Sequence, residues 1–195
     1  MAELSHARDA GLTLGEVTLD VVWNLRGNAG DAAFASVSSR VLGLPLPVEP
    51  LTSTCGRGTA LLWLGPRSWL YVSGDPSTAI DFDSWRRPIN AAGGALFDVS
   101  SGYGAWRVAG ADAARTLNRA GPLDLHPQVF RTGQSAQSVL GHINVLIHKP
   151  DDASFVVMVA RSFAADAWRM LCEAATTDGY RIVGACPFAY AMRPT

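Results

Sequence analysis

No apolar run in this 195-residue chain approaches the roughly 20 residues that a membrane-spanning helix needs. The opening segment, MAELSHARDAGLTLGEV, lacks the apolar stretch of a secretory signal, so a cytoplasmic protein is expected. Cysteine is scarce: Cys55, Cys172 and Cys186 are odd in number, widely spaced and without a C-x-x-C pair. That argues against a disulfide framework, a zinc knuckle and a thioredoxin-type site. Charge of either sign is also short. Sixteen Lys and Arg against 17 Asp and Glu leave a net charge of -1, with no excess to draw the chain to nucleic acid or an acidic membrane. Charged residues make up 17% of the chain and hydrophobic ones 48%, against about 25% charged in an ordinary soluble domain. Surface so poor in charge is expected to meet another protein over part of its area.

Several motifs of chemistry are missing too. No G-x-G-x-x-G opens a helix, and neither G-x-x-x-x-G-K-[ST] nor G-x-S-x-G occurs. Of His6, His126, His142 and His148, the last two fall six residues apart on one expected strand. The ends of that span lie roughly 20 Å apart, so the pair cannot chelate one ion and reads as exposed polar residues on a half-buried strand.

What is present is a mixture of short strands and helices. Residues 1–15 read as a loose lead-in and 16–195 as a single domain, with room for two sublobes. VTLDVVWNLRG is a first strand, and NAGDAAFASVSSRVLG a helix stopped at Gly43. The proline-rich LPLPVEPLTSTCGRG is a connection. TALLWL and SWLYVS flank Gly65-Pro66-Arg67 as a hairpin that sets Trp63 opposite Trp69. PSTAIDFDSWRRPINAAGG is a helix with a break near Pro88.

ALFDVSSGYGAWRVAG gives two strand segments around Ser100 and Ser101. In the second, Tyr103, Ala105, Arg107 and Ala109 share one face and Gly104, Trp106, Val108 and Gly110 the other. ADAARTLNRAG is a short helix, SVLGHINVLIHK a strand, and SFVVMVA its antiparallel return after a turn at residues 149–152. FAADAWRMLCEAATTDG is the best-patterned helix, capped by Ser162, with Phe163, Ala167, Trp168, Leu171, Ala174 and Ala175 in one stripe and Gly179 as its stop. YRIVGACPFAYAM supplies a last strand and tail. Hairpins demand antiparallel pairing, so the class is α+β.

Local candidates for chemistry have structural readings beside them. Trp63 and Trp69 could stack a flat ligand, yet a cross-strand packing pair suffices. Ser100 and Ser101 read as turn caps, and Cys172 as a small residue on the buried side of a helix. Arg161 ends a buried strand and could hold an anion, or form a salt bridge with Asp98.

In order along the chain, WLGPRSWLYV, FDVSSGYGAWRVAGADAARTLNRAGPLDLHP, VFRTGQSAQSVLGHINVLIHK and FVVMVARSFAADAWRML resemble the gamma subunit of heterotetrameric sarcosine oxidase, over about residues 61–171. The shared motifs are WLGP-x-x-WL, D-x-S-x-G, PLDL and RSFA-x-x-x-W. The resemblance implies the folate-binding, aminomethyltransferase-like (T-protein-like) fold, with antiparallel sheets and ferredoxin-like, βαβ-rich lobes. It implies a non-catalytic structural subunit, with no catalytic, cofactor-binding or metal-binding residue of its own. The complex would oxidatively demethylate sarcosine to glycine, its one-carbon unit passing to formaldehyde or tetrahydrofolate. FAD, FMN and NAD would belong to the large alpha and beta subunits and zinc to the delta subunit. The gamma subunit would pack on the folate-binding domain of alpha.

The alternatives are a stand-alone folate-binding aminomethyltransferase-like enzyme and a YgfZ-like factor. Where aminomethyltransferases carry an acidic pair, this chain has Ile143-Asn144-Val145, which offers no carboxylate for acid–base work. The YgfZ-type cysteine motif has no counterpart in FRTGQSAQS. Tryptophan and arginine concentrate binding energy at interfaces, so Trp85, Arg86, Arg87, Arg161 and Trp168 are the expected partner contacts.

Overall fold

A computed structural model of the chain describes residues 11–75, 77 and 81–188. Its strands are β1 Leu12–Thr18, β2 Val21–Arg26, β3 Ser53–Gly56, β4 Thr59–Gly65, β5 Ser68–Ser73, β6 Ala95–Asp98, β7 Tyr103–Gly110, β8 Ser135–Leu140, β9 Ile143–Asp151, β10 Ser154–Ala160 and β11 Arg181–Pro187. Its helices are α1 Ala32–Leu42, α2 Phe82–Ala91, α3 Ala113–Ala120 and α4 Ala164–Ala175.

The central strands are apolar on both faces, and the reason is visible in their alternation. In β10, Phe155, Val157 and Val159 enter one core while Val156 and Met158 enter another. In β2, Val21, Trp23 and Leu25 face one way and Val22 the other. A strand with period-two side chains can bury both sets only inside a layered stack. The stack here has four layers. Helices α3 and α4 cover a six-stranded sheet of order β11-β1-β7-β10-β9-β8, and α1 and α2 cover a five-stranded sheet of order β3-β4-β5-β2-β6. The sheets face each other across a middle core that joins Val22, Leu62, Leu70 and Val72 to Val17, Ala105, Leu146, Val156 and Met158.

Each sheet is built by the same path of strand, helix, three strands, helix, strand. Both orders follow from it, apart from β1, which is inserted between β7 and β11. This is the ferredoxin-like βαββαβ unit with an added edge strand, made twice. The added strands meet: Thr52 bridges to Gln134, the Ser53 N–H donates to the Gly133 carbonyl at 3.0 Å, and the Ser135 N–H to the Leu51 carbonyl at 3.0 Å. The α+β class with ferredoxin-like lobes is therefore correct, and the sheets are antiparallel except where β11 pairs with β1 in parallel.

The boundaries differ in instructive ways. β1 begins at Leu12, inside the segment expected to be a loose lead-in, because Leu12 and Leu14 are fully buried against the helix-covered core. Residues 1–10 of that segment lie outside the described residues. The single strand expected from VTLDVVWNLRG is two, broken at Leu19 and Asp20 where the chain passes from one sheet to the other. The connection before residue 59 contains β3. α2 runs through Pro88 without the expected break. An interior proline costs about 3 kcal/mol, but Phe82 and Trp85 pack on Trp23, and Ile89 is fully buried. Full burial of a side chain such as Ile89 returns about 1.5–3 kcal/mol, and the half-buried Phe82 and Trp85 add to it, so packing outweighs the lost hydrogen bond. The start of the expected helix at residues 76 and 78–80, and the tail from residue 189, lie outside the described residues.

SVLGHINVLIHK is a hairpin, β8 and β9, turning at Gly141 with a φ of 55°. Ser162 does not cap α4; residues Arg161–Phe163 form a 3₁₀ turn and no side chain caps the helix. Phe163 leaves the buried stripe and is exposed. The far end of α4 is tied to α3 instead. The Asp178 carboxylate accepts from Arg119, from Arg115 at 2.8 Å and from the Thr116 hydroxyl at 3.2 Å. The Arg119 hydrogen bond is the main reason its carboxyl stays below the ordinary range.

Candidate functional site

The motif residues between the sheets are spent on structure. Ser100 accepts a hydrogen bond from the Val22 N–H at 2.9 Å and donates to Asp98 at 2.6 Å, while Asp98 also receives the Ser100 N–H at 2.9 Å. This staple fixes the crossing from β6 to β7. The expected salt bridge between Arg161 and Asp98 is absent because Asp98 is committed there. Arg161 instead donates to the backbone carbonyls of Ser101 at 2.9 Å and Tyr103 at 2.8 Å. It clips the start of the α4 segment onto the same crossing.

The five expected partner contacts fall into two groups. Trp85, Arg86 and Arg87 lie on α2, where Trp85 packs against Trp23 and Tyr71, and Arg86 reaches Asp83 at 2.8 Å. Arg87 protrudes most, with 79% of its side chain exposed. Arg161 and Trp168 belong to the α4 side, and Trp168 stacks on Trp106. α2 and α4 are in opposite outer layers.

Trp63 and Trp69 are direct cross-strand partners. They are unequal: Trp69 is fully buried, tilted against Phe34, and donates its indole N–H to the Pro47 carbonyl at 2.7 Å, whereas Trp63 is half-buried. No face of Trp69 is left to stack a ligand.

His142 sits in the exposed β8–β9 turn. His148, expected to be an exposed strand residue, is fully buried between the sheets near the β3–β8 seam. Its Nδ1 lies 3.2 Å from the Gln134 carbonyl and its Nε2 3.9 Å from Cys55 Sγ. Burial pushes its pKa down to about 4, and burial pushes the Cys55 thiol up, so the two stand as neutral neighbours rather than a thiolate–imidazolium pair. Because the folded pKa lies below the unfolded one, this histidine costs nothing above about pH 6.5 and weakens the fold as pH falls towards 4. Between pH 7 and pH 5 the loss is about 2 kcal/mol. Urea unfolding at both pH values should show it in the native chain and a flatter dependence in His148→Gln. Equal native stability at pH 7 and 5 would refute the buried neutral state. Asp178 does not confuse the reading, since a lowered carboxyl is protonated only at more acidic pH.

A groove of about 460 Å³ opens on the middle-core face of β1, β7 and β11. Thr13, Gly15, Arg107, Val183, Cys186 and Pro187 line it. Among the described residues Arg107 Nε has no acceptor, and the guanidinium comes no nearer than 3.6 Å to Asp151. Alternation along β7 puts Arg107 on the face with Ala105 and Ala109. A lone arginine on that otherwise apolar face was the one available signal.

The order of motifs along the chain can now be set beside known proteins. A family model described as "Sarcosine oxidase, gamma subunit family" matches residues 26–177. The chain belongs to that family. Among curated relatives, the sarcosine oxidase subunit gamma of Corynebacterium sp. (strain U-96) is 28% identical over 171 residues, covering 86% of this chain and 81% of the relative. The Arthrobacter sp. sarcosine oxidase subunit gamma is 28% identical over 181 residues, covering 89% and 87%.

The gamma-subunit fold extends to solved structures. A chain of the heterotetrameric sarcosine oxidase from Corynebacterium sp. U-96 in complex with pyrrole 2-carboxylate superposes with a TM-score of 0.80 at 24% identity, over 89% of this chain and 88% of that one. The glycine cleavage system aminomethyltransferase T from Bartonella henselae gives 0.63 at 13% identity, over 94% of this chain and 49% of that one. The T-protein-like fold follows. The stand-alone aminomethyltransferase alternative is not favoured: Asn144, where an acid would be required, is an exposed residue of β9 paired with Val139. Among the described residues, no helix is long and apolar enough to cross a membrane, and no cluster of three or more His, Cys, Asp or Glu could hold a metal ion.

Proposed function

We propose that this gamma-family chain is a non-catalytic, cytoplasmic subunit of a heterotetrameric sarcosine oxidase. In this reading it packs on the folate-binding domain of the large alpha subunit, beside beta and delta subunits. The complex converts sarcosine to glycine and passes the methyl carbon to formaldehyde or tetrahydrofolate. FAD, FMN, NAD and zinc belong to the partner subunits. The observation that carries it is similarity over most of the chain: family match, relatives and the superposed chain all extend into both ferredoxin-like halves. The commitment of Asp98, Ser100 and Arg161 to holding the fold together supports a scaffold rather than a reaction centre. Exposed Phe97 is an example of the apolar surface left for contact.

Of the two groups of candidate contacts, the α2 group is the one we set against the partner. Arg86 and Arg87 project from the surface, whereas Arg161 is spent on backbone carbonyls and Trp168 lies on Trp106. Affinity capture of the tagged chain from native lysate should bring down polypeptides with flavin absorbance, and the eluate should produce hydrogen peroxide from sarcosine. Reversing Arg86 and Arg87 to Glu should cut the captured flavin at least tenfold while leaving the circular dichroism spectrum unchanged. Recovery of a colourless monomer with the native sequence would overturn the subunit reading. Undiminished capture by the double reversal would move the interface off α2.

A further inference from the structure

We propose that the groove over β1, β7 and β11 is a binding site for a small organic monocarboxylate, held by Arg107. A guanidinium presents five donors in a planar fork that matches a carboxylate. Asp151 stands at ion-pair distance from that fork but makes no hydrogen bond to it. Its Oδ1 receives the Ala153 N–H at 2.8 Å and its Oδ2 the Ser154 hydroxyl at 2.7 Å, which leaves its separation from Arg107 at 3.6 Å. Asp151 is also more deeply buried than Arg107, with 7% against 16% of the side chain exposed, and does not line the groove. It orients the arginine from behind without taking a hydrogen bond from it, and the part of the guanidinium that lines the groove is left for an occupant.

The chemistry of that occupant follows from the surroundings. A second negative charge would approach Asp151, so a single carboxylate suits the site better than a phosphate dianion. Val183 and Pro187 offer apolar walls for the ligand's body. Gly15, directly across from Arg107, lets β11 close in as the wall: a Cβ there would stand 2.6 Å from Val183 Cγ2. The β1–β11 register slips between Gly15 and Val17, and the groove follows that irregularity. Its volume of about 460 Å³ lies in the range of small-molecule sites. The groove is formed by this chain alone, so the inference does not rest on the subunit assignment.

Equilibrium dialysis of the full chain against radiolabelled benzoate tests it, with benzamide as the uncharged control of the same shape. One saturable benzoate site is expected, with benzamide at least tenfold weaker. Arg107→Met should weaken benzoate at least tenfold, and Arg107→Lys should restore part of the loss. Val183→Trp fills the groove from an exposed rim position, spares the buried arginine and should abolish binding in a folded chain. Equal uptake of benzoate and benzamide, or unchanged uptake by Val183→Trp, would overturn the proposal. A further arm compares copurified assemblies carrying native chain or Arg107→Met. If they take up benzoate equally while the isolated chains differ, a partner's acidic side chain fills the groove, and the free-ligand site is refuted. Partner capture is scored separately, so failure here leaves the subunit reading untouched.

Discussion

Trp69→Ala is expected to destabilise the chain by about 4 kcal/mol, as large-to-small changes at fully buried tryptophans do. Two losses add at this position. The indole is enclosed by the core under α1, with Phe34 tilted against it at 6.0 Å between ring centres. Its N–H is also the partner of the Pro47 carbonyl, in the proline-rich connection that contributes Leu44 and Leu46 to the same core. Trp69→Phe keeps most of the ring contact but strands that carbonyl, so a cost of about 1–2 kcal/mol is expected. Trp63→Ala, on the same face but half-buried, should also cost about 1–2 kcal/mol. Urea unfolding of the four proteins gives the order. Equal costs at positions 63 and 69 would mean that the pair acts as a symmetric surface element, contrary to its burial.

Gly110→Ala is expected to cost about 4 kcal/mol, lowering the melting temperature by about 10 °C. Gly110 ends β7 with a φ of 124°, a region that L side chains rarely adopt. A Cβ there would stand 1.6 Å from the Gly11 carbonyl oxygen, so the start of β1 must move away. β1 is the strand inserted between β7 and β11, and displacing it loosens both neighbours. Calorimetry of the variant should show the drop. Gly65→Ala, where nothing stands within 4 Å and φ is not positive, should change stability little. A Gly110→Ala chain as stable as the native one would show that β1 is not held against β7 at its first residues.

Much of this architecture is legible from local pattern. The β4–β5 hairpin and the opposition of Trp63 and Trp69 follow from alternation around Gly65-Pro66-Arg67, and Gly43 ends α1 in the left-handed conformation its position suggested. The two faces of β7 divide as alternation requires. Local pattern misleads where a side chain's neighbours come from elsewhere in the chain. Pro88 is a breaker by its own chemistry, yet α2 persists because Trp23, more than sixty residues earlier, receives Phe82 and Trp85. His148 looks like a surface polar residue in a strand, yet β3 and the Gln134 carbonyl enclose it. Arg161 and Asp98 look complementary, yet each has a nearer partner.

By itself the sequence determined most of the strands and helices, though not β3 or the breaks that part β1 from β2 and β8 from β9, together with the α+β class and the kinship with the gamma-subunit family, because these reside in short-range periodicity and ordered motifs. Only the tertiary structure decided which strands are neighbours. Backbone hydrogen bonds are the same for every residue, so nothing in LTLGEVT names β7 and β11 as the strands that receive it. That choice is made by whole apolar faces burying together, and it also decides which polar groups are left inside. Arg107 lines a groove because β1 brings a glycine beside it and β11 brings the wall.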